Sequence, residues 1–153
     1  MTLNEKTAEI LNDLIEINND RVRGYERASK ETESKDVDLR ALFDDMAARS
    51  RRYANELSQH VHQSGEKVAE GTTVRGKIYR AWMDVKATFT GNDRKAILDS
   101  CEFGEDAAQR AYDTALSSDA EIPSELRQLI MEQKTTLRKD HDRIKAMRDA
   151  QPA

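Results

Sequence analysis

A chain of 153 residues with 35% charged side chains, only 6 glycines and 2 prolines has the length of one domain and too little turn punctuation for a many-stranded fold. Its formal charge of -4 argues against a general phosphate-backbone binder, so no nucleic-acid partner is expected, and no apolar run reaches the ~20 residues of a transmembrane helix. The single cysteine, Cys101, cannot form an internal disulfide, and the opening MTLNEKTAEI lacks the basic and apolar parts of a signal peptide, so the cytoplasm is the expected location.

Over about 4–32, apolar residues recur every three or four positions through Ala8, Leu11, Leu14, Ile15, Val22, Tyr25 and Ala28, with Ile10 and Ile17 beside them, which predicts a first long helix. Its seam passes through Asn18 and Arg21, so the middle of the inward face is more polar than its ends. Gly24 costs ~1 kcal/mol relative to alanine inside a helix and suggests close approach of another element. The aperiodic stretch ETESKDVD offers Ser34 and Asp36 as N-caps of a second helix over about 37–64. Leu39, Leu42, Phe43, Met46, Ser50, Tyr53, Leu57 and Val61 form the inward face of that helix, flanked by Arg49 and Glu56. Gly65 stands where a helix end favours positive φ.

A shorter helix is expected over about 73–88, with Val74, Ile78, Ala81, Trp82, Val85 and Phe89 on one stripe and Arg75, Lys77, Arg80 and Lys86 opposite. Such a stripe suits a membrane surface, but ~17 helical residues also span ~25 Å, enough to carry the chain most of the way back along a bundle. The second reading makes it a crossover helix. Gly91 and Asn92 mark a turn before a third long helix over about 93–116. The face of that helix runs through Ile97, Cys101, Glu105, Ala108, Tyr112 and Ala115, placing an acid where a core residue belongs. Beside that acid, Gly104 suggests room for a neighbouring side chain. Pro123 is expected at the first position of a fourth helix reaching Asp149, with Leu126, Ile130, Gln133, Leu137, Asp140, Ile144 and Met147 inward and Leu129 and His141 flanking.

Four long helices with short outer turns and one long crossover describe an all-α, ferritin-like four-helix bundle with an additional short crossover helix between the second and third long helices. One domain over 1–153, with its core over about 4–149, follows. In this connectivity the first and fourth helices run one way and the second and third the other. Aligning helix ends puts Asn18, Ser50, Glu105 and the 133–137 turn at one height and Arg21, Met46, Cys101 and Asp140 one layer along. Within one helical turn, Asn18, Arg21, Arg49, Glu105 and Asp140 form an interior polar layer.

The strings LNDLIEINNDRVRGYERA, RAWMDVKATFTGND, CEFGEDAAQRAYDTAL and HDRIKAMRD resemble a bacterial ferritin-like four-helix-bundle family of unknown function, over about 8–149. The resemblance implies the fold and carries no assigned reaction. Di-iron members of the wider superfamily place Glu on two helices and Glu-x-x-His on the other two. This chain has no Glu-x-x-His: Glu56 and His60 are four apart, and Arg138 stands three before His141. Glu16, Glu56, Glu102, Glu105 and His141 therefore make a depleted ligand set for iron or manganese.

The competing use of Glu105 or Asp140 is an ion pair with Arg21 or Arg49, since a buried carboxylate is costly unless paired. Cys101 reads as an inert buried thiol, His60 and His62 as surface residues, and Tyr25, Tyr53 and Tyr112 as core residues with bonded hydroxyls. The leading expectation is a non-catalytic bundle with a structural or protein-interaction role and no cofactor. Homo-oligomerisation is expected from the apolar surplus at Ile10, Ile15 and Ile17. The alternatives are a di-iron or di-manganese oxidase or iron-handling protein, and a peripheral membrane-surface protein using the Trp82 stripe.

Overall fold

In the computed structural model, which describes residues 4–32, 36–69 and 94–151, Asn4 starts the first helix by turning its side-chain oxygen onto the Thr7 amide at 2.8 Å. That bond satisfies one of the donors a helix start leaves free. The helix, α1, runs Glu5–Glu31; α2 covers Val37–Gln63, α3 Arg94–Ser117 and α4 Ser124–Asp149. Among the described residues there is no strand. Gly65 takes φ +85° just after α2, a backbone state open to glycine at no steric cost.

Two helix starts differ from the sequence expectation. Asp36 occupies the N-cap position of α2, but its side chain makes no cap bond and pairs instead with Arg94 at the start of α3. Pro123 is the N-cap of α4 rather than its first residue, with ψ 145°, and its carbonyl accepts from the Arg127 amide at 2.9 Å. Ser34, the 73–88 crossover helix with its Trp82 stripe, and the Gly91–Asn92 turn lie outside the described residues.

Side-chain partners fix the helix directions. From Thr7 through Asn18 and Arg21 along α1, the partners descend from Glu121 through Tyr112 to Glu105, so α1 and α3 are antiparallel. Glu26 meets Arg51 and Asn12 bonds the Lys67 carbonyl and Ala69 amide, so α2 is antiparallel to α1. Tyr112 meets Gln133, and Asp106 meets His141, so α3 and α4 are antiparallel as well. It follows that α2 and α3 run parallel: the chain leaves α2 at one end of the bundle and enters α3 at the other. This is the ferritin-like connectivity.

Apolar side chains gather in two clusters along the bundle axis. One holds Leu11, Leu14, Ile15, Ile17, Leu57, Ile130 and Leu137, and the other Phe43, Met46, Ile97, Cys101 and Ile144. Burying each large aliphatic side chain contributes roughly 1.5–3 kcal/mol, so the two clusters supply the main drive for helix docking. Ile15 and Ile17 are 1% and 2% exposed, and Ile10 packs against the first cluster, so the supposed surplus is largely consumed within one chain. Self-association therefore loses the ground on which it was expected.

Candidate functional site

Arg21 on α1 is fully buried, and each of its three guanidinium nitrogens donates a hydrogen bond. Nε donates to Glu105 Oε1 at 3.1 Å, Nη2 donates to the same oxygen and to Asp140 Oδ2 at 3.4 Å, and Nη1 donates to Ser50 Oγ. Tyr25, one helical turn along α1, donates its hydroxyl to Glu105 Oε1 as well. Arg49, at the rim of α2, donates Nη1 to both oxygens of Asp140 at 2.6 Å. All four helices thus contribute: two guanidiniums face two carboxylates in one interior layer.

Burial sets the electrostatics of this layer. It pushes the Glu105 carboxyl above its usual range, against the pull of the Arg21 charge and of the hydrogen bonds from Tyr25 and Arg21. Burial also disfavours a charged Arg21, but Glu105, Tyr25 and Asp140 outweigh it and hold the guanidinium protonated. The planar fork of arginine suits this role, because it satisfies several acceptors at once where a lysine would meet them as a point charge.

A neutral layer lies beside the charged one. Tyr112 donates to Gln133 Oε1 at 2.7 Å and accepts from Asn18 Nδ2 at 2.9 Å, and Asn18 also donates to the Leu14 carbonyl. Burial pushes the Tyr112 hydroxyl up, against the Asn18 hydrogen bond, so it stays protonated and able to donate.

The fold family implies a possible di-metal centre in the bundle interior, and the residues here do not fit one. Glu105 Oε1 is taken by Arg21 and Tyr25, and both Asp140 oxygens are taken by arginines. Glu105 Oε2 is left without a protein partner among the described residues, but one carboxylate oxygen beside a guanidinium is no coordination set. Two fixed cations already balance the two acids that a metal would need.

The depleted ligand set is also dispersed. Glu16 is half-buried on α1, where burial, then Asp13 and Asp20, push its carboxyl up; Glu56 is half-buried on α2. Neither joins a metal-competent cluster among the described residues. Glu102 and His141 do come together, in the groove between α3 and α4, with a third residue that the sequence reading passed over. That residue is Asp106: His141 Nε2 lies 2.6 Å from Asp106 Oδ1, and Nδ1 lies 3.1 Å from Asp142 Oδ1. Its signal in the sequence was its place four residues after Glu102, which puts both acids on one helix edge. Arg148 pairs with Glu102 from the end of α4. Burial lowers the tendency of the His141 ring to charge, but the hydrogen bonds to Asp142 and Asp106 overcome that and raise its pKa.

Residues 6–118 match the family described as Domain of unknown function (DUF2383). The chain belongs to this family. The match covers α1, α2 and α3 almost entirely; α4, which supplies Asp140, Gln133 and His141, lies beyond it. No curated protein matches the chain. Among solved structures, a mutant of Dps1 from Mycobacterium smegmatis is similar in fold, with a TM-score of 0.79, 16% identity, and coverage of 95% of this chain and 99% of that one. At that identity the likeness shows the fold alone. This DUF2383 chain is thus an all-α, ferritin-like four-helix bundle.

Proposed function

We propose that this DUF2383 bundle serves a structural or protein-interaction role and carries no redox metal centre in its interior. The observation that carries the reading is Arg21, fully buried and bonded to both interior acids, Glu105 and Asp140. A cation built into the chain performs the charge balancing that an iron or manganese pair would perform elsewhere. Breaking such a layer is costly because the acid left behind is buried without a counter-charge.

The test uses the full chain, purified without chelator or nickel resin and loaded anaerobically with iron(II) or manganese(II). The expected result is no pair of ions per chain and no oxygen-driven iron(II) oxidation above the buffer rate. Two ions per chain, lost in a folded Glu105→Gln variant and kept in His141→Ala, would overturn the reading in favour of an iron-handling protein. Homo-oligomerisation belongs to the same proposal, supported by Met131, which is half exposed on α4. Sedimentation showing only monomer at high concentration would remove that part. Among the described residues no helix is long and apolar enough to cross a membrane.

A further inference from the structure

We infer that Glu102, Asp106 and His141 form a binding site for a single divalent first-row transition-metal ion, in the groove between α3 and α4 and outside the bundle interior. One ligand atom from each residue lies within 4.8 Å of the others. An imidazole nitrogen with two carboxylate oxygens is a donor set for manganese, iron(II) or zinc rather than for calcium or magnesium, whose ligands are oxygens alone. The three residues come from two helices docked by the apolar core, so the site is assembled by the fold and not by one flexible segment.

A second observation concerns the histidine. Its side chain is only 12% exposed, and its two nitrogens face different partners. Nε2 faces Asp106, while Nδ1 faces the carboxylate of Asp142 on the opposite side of the ring. Asp142 itself lies outside the ligand triangle. A carboxylate on the far nitrogen holds an imidazole with its near lone pair directed at a metal and raises its strength as a ligand. In the metal-bound form, Nδ1 donates its proton to Asp142 and Nε2 donates its lone pair to the ion, which takes the place now held by the hydrogen shared with Asp106.

The groove already collects positive charge. Arg148 reaches Glu102 and Asp149 and lies 3.7 Å from Asp99. Arg148 therefore competes with the ion for Glu102, and this competition gives the proposal a consequence that a plain surface salt bridge does not share. Removing Arg148 should tighten metal binding, whereas removing Asp142 should weaken it although neither side chain is a ligand.

The experiment titrates the untagged full chain with manganese(II) chloride, followed by the loss of free-ion electron paramagnetic resonance signal, and with zinc(II) chloride by calorimetry. One ion per chain is expected. His141→Ala and Asp106→Asn should weaken binding at least tenfold, Asp142→Asn by about 10-fold, and Arg148→Gln should strengthen it. Manganese should broaden the nuclear resonances around 102, 106 and 141 before all others. All of the replaced side chains reach solvent at least in part, so circular dichroism is expected to show the same helix content in each variant. Absence of saturable binding, or equal affinity in the wild type and in folded His141→Ala and Asp106→Asn variants, would overturn the site. The result is independent of the interior: loss of binding in Glu105→Gln with retention in His141→Ala would instead count against the function proposed above.

Discussion

Glu105 and Glu102 lie three residues apart on α3, and each faces an arginine, yet their surroundings give the two pairs different roles. Glu105 and Arg21 are sealed in the interior at 0% and 1% side-chain exposure, whereas Glu102 and Arg148 are at 13% and 28%. In the interior there is no water to take over when a partner is lost, so the charges are obligatory to each other and the pair is structural. In the groove a freed carboxylate regains solvent, so the contact can be exchanged for another cation. The same residue types therefore give a fixed brace in one place and an exchangeable site in the other, and depth makes the difference.

The largest expected effect comes from truncating each acid in turn. Glu105→Ala should lower the unfolding free energy by ~3–5 kcal/mol, because Arg21 is left buried with only the more distant Asp140 oxygen as counter-charge, while Glu102→Ala should lower it by about 1 kcal/mol or less. Urea denaturation at neutral pH reads both; equal, small losses would erase the contrast.

A second test uses alkali. An unfolded tyrosine ionises near pH 10, while burial, aided by Glu105 and Cys101, holds the Tyr25 hydroxyl well above that, and burial does the same for Tyr112. Above pH 10 the unfolded chain gives up protons that the folded chain keeps, so stability falls as the pH rises, by up to ~1.4 kcal/mol per pH unit for each ring. The slope of stability between pH 9.5 and 11 should flatten in Tyr112→Phe. An unchanged slope would show that the interior ring does not control it.

The smallest effect is expected in the groove. His141→Ala should change stability in metal-free buffer by no more than ~1 kcal/mol, since the pair it breaks is partly exposed. A loss matching that of Glu105→Ala would mean that the groove is as obligatory as the interior.

Much of this was written in the sequence as interruptions of a pattern. Asn18, Arg21, Glu105 and Asp140 stand at positions where the helical period calls for an apolar side chain, and all four are buried. Helix ends were legible to within a residue or two, because Asn4 and Gly65 carry chemistry that stops or starts a helix locally. Partner choice was less legible. Arg21 was stacked with Met46 and Cys101, but its long side chain reaches Ser50 and Glu105, while Met46 and Cys101 close the second apolar cluster. Asp36 looked like a cap, and its carboxylate is taken by Arg94, more than fifty positions on in the chain. Nothing along α3 alone singles out Asp106; its role comes from α4, which brings His141 against it. Such choices depend on distances across helices, which periodicity along one helix does not contain.

The parallel course of α2 and α3 bears on how the bundle assembles. The α1–α2 pair brings together helices close in sequence, with α1 ending at Glu31 and α2 starting at Val37, but the bond from Arg21 to Glu105 joins positions 84 apart and the one from Arg21 to Asp140 joins positions 119 apart. Closing spans of that length carries an entropic cost that local contacts do not meet. Arg21 therefore acquires its acids only after the second helical pair has docked. Until then its charge remains in water, and a half-assembled bundle has no reason to close over it. The guanidinium thus ties a dry interior to the complete bundle, since its partners come from all three other helices.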